Sequence, residues 1–241
     1  GSIVKKSRIM IEQLKNELRG LDAQEILTYI DAHFGEEAVF STSFGIEDQV
    51  ITHLLSEINA RTRVFTLDTG RLFPETYYVW NRTLDIYKLP IKAYYPKTDA
   101  VEDLISTKGP SSFYESTENR KECCFIRKIE PLKRAIKGYK IWITGIRAEQ
   151  SENRDHMEFI EWDEGNQIIK IHPLFNWTLA MVEAFLKVNF VPYNPLHDKG
   201  FPSIGCQPCT RAIAAGEDFR AGRWWWEDKS KKECGLHVTS K

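Results

Sequence analysis

Two pairs of cysteines constrain this chain more than any other feature: Cys123 and Cys124, adjacent in KECCFIRK, and Cys206 and Cys209 in GCQPCT. Four thiolates in two tight pairs, far apart in sequence, can converge on one metal centre, and the fold between them must then bring them together. A zinc site with four cysteine ligands is usually built from two Cys-x-x-Cys knuckles, and only GCQPCT has that form. Side chains of adjacent residues point apart, which is awkward around one small ion and easier around a wider iron-sulfur cubane. Spacing therefore favours a cluster over zinc and leaves a disulfide or unligated buried thiols open. A fifth cysteine, Cys234 in KSKKECGLH, has Lys229, Lys231 and Lys232 upstream and His237 three residues on. Positive neighbours lower a thiol pKa, so the setting suits a nucleophile, although a tail cysteine without a role would look the same.

The rest of the chain must supply a scaffold. Its 241 residues, 42% hydrophobic, are enough to bury a full core. A formal net charge of -1 gives no overall pull towards nucleic acid or membrane, so an anion site has to come from local clusters of Arg and Lys. No apolar run has the length of a membrane span, and the N-terminus has no signal-peptide pattern, which points to a cytoplasmic protein. Gly1 and Ser2 read as the remnant of a removed tag. Few, clustered cysteines in such a chain favour metal or catalytic use over a disulfide framework.

Residues 8–20 place Ile9, Ile11, Leu14 and Leu18 near helical spacing, and Asp22 with Glu25 reads as a capping box opening a second helix through Ile26, Leu27 and Ile30. From residue 38 the pattern changes. Segments 38–44, 63–68, 91–96 and 139–146 read as strands, with helices at 47–58, 74–88 and 123–137 between them. This alternation predicts an α/β fold, an open, mostly parallel sheet flanked by helices, with ligands beyond the carboxyl ends of the strands. Residues 106–122, rich in Ser, Gly and polar groups, read as a mobile loop. Residues 159–174 resemble a hairpin turning at Glu164-Gly165-Asn166. Thr178 opens a helix with Leu179, Val182, Phe185 and Leu186 inward.

The unusual residues fall at the carboxyl ends. SFGIEDQV, residues 43–50, can present backbone N–H groups and a helix N-terminus to an anion, or can be an ordinary strand-to-helix turn capped by Ser43. LDTG, Leu67 to Gly70, can read a base edge or simply connect two elements. Lys128, four residues after Cys124, shares its helix face and is a candidate anion contact. Arg147 and Arg154 suit a phosphate or sulfate, or are solvated charges. Arg220 and Arg223 fall within one helical turn of each other and can grip one anion. Trp224, Trp225 and Trp226 read mainly as packing of the tail against the body. The simplest partition is N-terminal helices at 1–37, an α/β core at 38–191, and a cluster-completing segment with a mobile catalytic tail at 192–241.

STSFGIEDQV, LDTG, KECC with RK, TGIRAEQS, GCQPCT, RAGRWWWE and KECGLH together resemble, in content and order, the assimilatory sulfonucleotide reductases, specifically the iron-sulfur adenylylsulfate (APS) reductases. The resemblance covers nearly all of the chain after residue 38. It implies an adenine nucleotide α-hydrolase-like fold and a 4Fe-4S cluster on Cys123, Cys124, Cys206 and Cys209. It implies adenosine held by Ser43, Phe44, Gly45, Asp48, Leu67 and Gly70, and phosphosulfate held by Lys128, Arg147, Arg154, Arg220, Arg223 and His237. It further implies Cys234 as nucleophile, thioredoxin or glutaredoxin as reductant, and a homo-oligomer. SFGIED is compatible with APS or its 3'-phosphorylated form, PAPS; the four cysteines carry the case for APS, and a PAPS or dual-specificity reductase is the alternative. An ATP-pyrophosphatase relative would need a glycine-rich pyrophosphate loop that SFGIED lacks, and a zinc-stabilised binding module would leave Cys234 without work.

Overall fold

Strand residues alternate between two apolar faces, and that alternation sets the layers. Ala38 and Phe40, Ile141 and Ile143, and Ile169 and Ile171 point into one core, while Val39, Trp142 and Ile168 point into a second. A sheet apolar on both faces must be covered on both, so helices pack on either side. The structure, a computed structural model, describes residues 1–150 and 157–227.

Six strands make one sheet: β1 (Ala38–Ser41), β2 (Arg63–Leu67), β3 (Lys92–Tyr94), β4 (Ile141–Ile143), β5 (Ile160–Asp163) and β6 (Ile168–Ile171). Their order is β3-β2-β1-β4-β6-β5, parallel except for the antiparallel β5–β6 hairpin. Helices α1 (Ser2–Leu18), α2 (Ala23–Phe34), α3 (Ile46–Glu57) and α8 (Leu179–Val188) contribute to the larger core, and α7 (Glu130–Ile136) covers the other face through Leu132, Ala135 and Ile136. Helices α4 (Pro74–Tyr87), α5 (Thr98–Lys108) and α6 (Thr117–Cys124) complete the set. No helix among the described residues is long and apolar enough to cross a membrane.

The capping box is formed: Glu25 N–H donates to Asp22 Oδ1 at 2.8 Å and Asp22 N–H to Glu25 Oε1 at 3.1 Å. The hairpin turns where expected, and Thr178 caps α8. Leu179 and Ile9, expected inward, are exposed. The predicted loop at 106–122 is largely helical. Gly109, with a φ of +82°, ends α5, and a short 3-10 turn at Ser112–Tyr114 follows. Ser116 Oγ then accepts from Asn119 N–H at 3.0 Å to cap α6. The polar residues that suggested a loop are caps and surface partners, Lys108 reaching Glu122 at 3.1 Å among them.

Parallel strands β1 and β4 lie side by side at the centre, with β2 and β3 beyond β1 on one side and β6 and β5 beyond β4 on the other. That reversal opens a crevice at their carboxyl ends. All four predicted strands are shorter than expected. At β1 and β4 a threonine bonds its own backbone two residues on: Phe44 N–H donates to Thr42 Oγ1 at 3.0 Å and Ile146 N–H to Thr144 Oγ1 at 3.3 Å. Such side-chain bonds divert the backbone from the ladder.

Removing the cap tests how much of α2 rests on it. Asp22→Ala is expected to lower unfolding stability by about 1 kcal/mol, read as a lower urea midpoint with an unchanged denaturant slope.

Candidate active site

Crevice residues are held by a half-buried carboxylate. Asp48, on the first turn of α3, takes both the backbone N–H and the hydroxyl of Ser43 on Oδ2, at 2.8 and 2.9 Å. Its other oxygen lies where a Cβ on Gly145 would come within 2.2 Å, so only glycine lets the 144–147 loop close over it. Burial pushes the Asp48 carboxyl up to about 7, against the two Ser43 bonds that lower it, with Glu47 adding to the rise. Ser43 and Asp48 thus bond each other and shape the turn. Phe44, at a φ of 61°, buries its ring against Trp80, centroids 5.3 Å apart. Gly45 precedes α3 and leaves the helix N-terminus open to the crevice.

Across the crevice, Thr144 is backed by a buried histidine. His172 Nε2 lies 3.0 Å from Glu161 Oε2 and Nδ1 lies 2.5 Å from Thr144 Oγ1. A carboxylate only accepts, so with the ring neutral Nε2 carries the proton and Nδ1 accepts the threonine hydroxyl. Burial lowers the His172 pKa despite Glu161, which keeps the ring neutral and that polarity fixed.

Arg147 is only 2% exposed and is already engaged. Its Nε donates to Glu47 Oε1 at 3.0 Å, and Nη1 donates to Glu149 Oε1 at 3.0 Å and to the Trp177 carbonyl at 3.4 Å. Burial raises the Glu47 carboxyl while Arg147 lowers it. The sequence offered this guanidinium to an anion; the structure spends it on two carboxylates that brace the loop.

The end of β2 faces two ways. Leu67 is half-buried, and buried Asp68 accepts from Gly70 N–H at 2.8 Å and from Tyr77 Oη at 2.9 and 3.0 Å. Gly70 sits at a φ of +81°, where a side chain would be strained. Thr69 turns towards sulfur: its Oγ1 is 3.2 Å from Cys206 Sγ, and its carbonyl accepts from Arg127 Nη1 at 2.6 Å.

Beyond that turn, Cys124, Cys206 and Cys209 share one apolar pocket with Phe113 and Trp224, and Cys123 and Trp226 pack at its edge. All four cysteines are free thiols. Contrary to expectation, Cys123 and Cys124 end a helix rather than open one. They are followed by a π-helical stretch, Phe125–Ile129, in which Glu130 N–H reaches back to the Phe125 carbonyl. Pro131 lies just beyond and has no N–H for the preceding turn. The wider winding alters the helical spacing. Arg127 acts on Cys123, and Lys128 acts on Cys209. Backbone bonds fix the second pair: Gln207 N–H to the Arg71 carbonyl at 2.7 Å, and Trp224 N–H to the Cys209 carbonyl at 3.0 Å.

Burial pushes the Cys123 and Cys209 thiols up, Cys209 to about 12 with the other three cysteines adding to the rise. Arg127 and Arg71 pull Cys123 down, and Lys128 pulls Cys209 down. Among the described residues, no three His, Cys, Asp or Glu side chains are arranged around a single ion. The donor set is four sulfurs with cations on their flanks, which suits a group that takes each as a thiolate.

Arg220 and Arg223 meet at one ring, but through turns rather than a helix: Arg223 N–H bonds the Arg220 carbonyl at 3.0 Å. Their guanidiniums lie 5.7 and 4.8 Å from the Trp224 ring. Arg223 also donates to Ser203 Oγ at 3.1 Å and occupies the space that a side chain on Gly205 would need. Arg154, Cys234 and His237 lie outside the described residues. Sequence reasoning gave Thr69, Arg71, Arg120 and Arg127 no role at the sulfurs. Arg71 and Arg127 sit beside residues it did single out, LDTG and Lys128, but nothing in the sequence shows which neighbour turns towards sulfur.

Residues 37–212 match the family model for the phosphoadenosine phosphosulfate reductase domain. An adenosine 5'-phosphosulfate reductase of Sinorhizobium fredii (strain NBRC 101917 / NGR234) is 48% identical over 225 residues, spanning 93% of this chain and 89% of that protein. One from Allochromatium vinosum is 50% identical over 202 residues, 84% of this chain and 79% of the relative. The crystal structure of a phosphoadenylyl-sulfate (PAPS) reductase from Candida auris, as a phosphate complex, superposes with a TM-score of 0.71 at 31% identity, covering 84% of this chain and 96% of that one.

The Asp48 carboxylate gives a pH test. Asp48 has a folded pKa raised above its unfolded value of 3.8. Between about pH 4 and 7 the folded state therefore holds a proton that the unfolded state has released, and stability falls as pH rises through that window. Asp48→Asn keeps an acceptor for Ser43 without the charge. Its stability relative to the parent is expected to improve by roughly 1–3 kcal/mol from pH 5 to pH 8 in denaturant titrations. A difference that does not change with pH would place the carboxylate in ordinary contact with water.

Proposed function

This chain belongs to the phosphoadenosine phosphosulfate reductase family, and on that premise we propose that it reduces adenosine 5'-phosphosulfate to sulfite and AMP with electrons from a dithiol protein. The observation that carries the reading is the Leu67–Gly70 turn, which borders the crevice through Asp68 and Gly70 and the four-thiol pocket through Thr69. A nucleotide in that crevice would have its anionic end directed towards the cations around the sulfurs. The names of the closely similar relatives supply the choice of APS over PAPS.

In this reading residues 1–37 are scaffold, residues 38–191 hold the nucleotide and one cysteine pair, and residues 192–241 supply the other pair and the nucleophile. Ser43, Phe44 and Gly45, shaped by Asp48, hold adenosine together with Leu67 and Gly70. Lys128, Arg220, Arg223, Arg154 and His237 hold the phosphosulfate, and Arg147 keeps the crevice loop in shape for it. Their charge stabilises the leaving phosphate as the S–O bond breaks.

The Cys234 thiolate attacks the sulfur of the sulfate group, forming a Cys S-sulfonate as AMP leaves with the electron pair of the broken S–O bond. A thiolate of thioredoxin or glutaredoxin then attacks the Cys234 sulfur and displaces sulfite; its second thiol resolves the mixed disulfide, so the dithiol supplies both electrons. Cys123, Cys124, Cys206 and Cys209 would hold a 4Fe-4S cluster, which supplies fixed charge and rigidity beside the substrate. Four free thiols in one apolar pocket with flanking cations support that assignment. A cytoplasmic location and a homo-oligomeric state complete the proposal.

Anaerobic intact-mass analysis after mixing with APS or PAPS, without a reductant protein, tests it. The expected result is a sulfonate adduct on Cys234 with APS, none with PAPS and none in Cys234→Ser, from protein carrying iron and acid-labile sulfide in equal amounts. Adducts with both nucleotides would make the enzyme dual-specific. No adduct from cluster-replete protein would remove Cys234 as the nucleophile, and zinc without labile sulfide would remove the cluster.

A further inference from the structure

One buried ion pair joins the helix of the first cysteine pair to the start of the C-terminal segment. The Arg120 side chain, on α6, is 0% exposed and that of Glu227 4%. Arg120 Nε donates to Glu227 Oε2 at 2.9 Å and Nη2 to Oε1 at 3.1 Å, a two-pronged contact. The same guanidinium lies 4.4 Å from the Trp224 ring and rests against Cys124. A buried pair of this kind is a poor source of net stability but fixes geometry strictly, because either partner alone would be a stranded charge.

Glu227 is also where the nucleophile's tether begins. Cys234 is the seventh residue after it, so whatever path the chain takes, Cys234 lies within about 24 Å of the Glu227 backbone. Two of the three residues before Glu227 pack on the sulfur pocket: the Trp224 N–H bonds the Cys209 carbonyl, and the Trp226 ring stands 6.0 Å from that of Phe113, while Trp225 is exposed.

We propose that the Arg120–Glu227 pair is a positioning clamp that anchors the root of the Cys234 segment to the cysteine-bearing helix, so that the nucleophile's reach is measured from the sulfur pocket. The proposal rests on Cys234 being the nucleophile. Neither residue touches the reacting atoms; both act through the tether. Anchoring one end of a short tether raises the effective concentration of its far end at a fixed site. It also makes delivery of Cys234 depend on the α6 cysteine pair being in place. The clamp should therefore govern the sulfonation step and leave nucleotide binding, at the sheet edge, unaffected.

The experiment compares cluster-replete parent, Glu227→Gln, Glu227→Asp and Arg120→Lys. It reads AMP affinity, single-turnover formation of the Cys234 sulfonate at saturating APS, and the rate of trypsin cleavage after Lys229, Lys231 and Lys232. In Glu227→Gln, sulfonation is expected to slow by roughly tenfold or more and trypsin cleavage to accelerate similarly, with AMP affinity within about twofold of the parent. Glu227→Asp, which keeps the charge, should recover a large part of both.

Unchanged sulfonation and cleavage in Glu227→Gln and Arg120→Lys would overturn the clamp. So would AMP affinity and cluster absorbance falling along with the rate, since that marks a general structural role. If the parent itself forms no adduct on Cys234, the functional reading fails, and the trypsin and AMP measurements still decide whether Arg120 and Glu227 hold the segment root.

Discussion

Taking four ionisable sulfurs out of water together is the constraint on which the surrounding structure depends. Each thiolate raises the cost of the next, and burial pushes Cys209 up to about 12. Cations compensate from elements far apart in sequence: Arg71 from the turn after β2, Arg120 from α6, and Arg127 and Lys128 from the π-helical stretch. A regular α-helix through residues 125–129 would present a different set of side chains to the sulfurs. The wider winding lets adjacent residues Arg127 and Lys128 act on two different cysteines. The cations that offset buried sulfur also form a positively charged wall beside the pocket.

The parallel sheet aims that wall at the crevice. Threonines at the ends of β1 and β4, and Thr69 after β2, bond their own backbone two residues on, so each strand stops at the same edge in a turn. Thr69 adds a contact to Cys206 and, through its carbonyl, one to Arg127. The turn after β2 is therefore a shared wall, with its carboxylate holding Gly70 and Tyr77 on one side and its hydroxyl against sulfur on the other. Shifting β2 by one residue would exchange which of Asp68 and Thr69 faces the sulfurs.

Local chemistry was legible in the sequence; reach was not. The alternation of apolar runs gives the parallel sheet, Asp22 and Glu25 give the cap, and the two cysteine pairs give the pocket. Each signal lies within a few residues, and the structure brings the cysteines together as their pairing required. What failed depended on distant partners. Polar residues at 106–122 looked like a loop because Ser116 and Lys108 read as solvent-facing until Asn119 and Glu122 appear as their partners. The action of Lys128 on Cys209 was not visible because Cys209 lies far along the chain. Arg147 looked available because Glu47 lies a hundred residues away.

The fate of Arg147 separates two uses of the same side chain. At a strand's carboxyl edge a guanidinium can bind an incoming anion or neutralise acids that the fold has placed there. With Glu47 and Glu149 already on it, an anion would have to displace a carboxylate or share the charge. Arg220 and Arg223 also meet an aromatic ring. Both guanidiniums lie over Trp224, whose ring attracts cations without neutralising them. An aromatic ring holds an arginine in place at less cost to its charge than a carboxylate does. The Trp224 ring thus helps set the direction of two guanidiniums in the C-terminal segment, as Glu47 and Glu149 set that of Arg147 in the loop after β4.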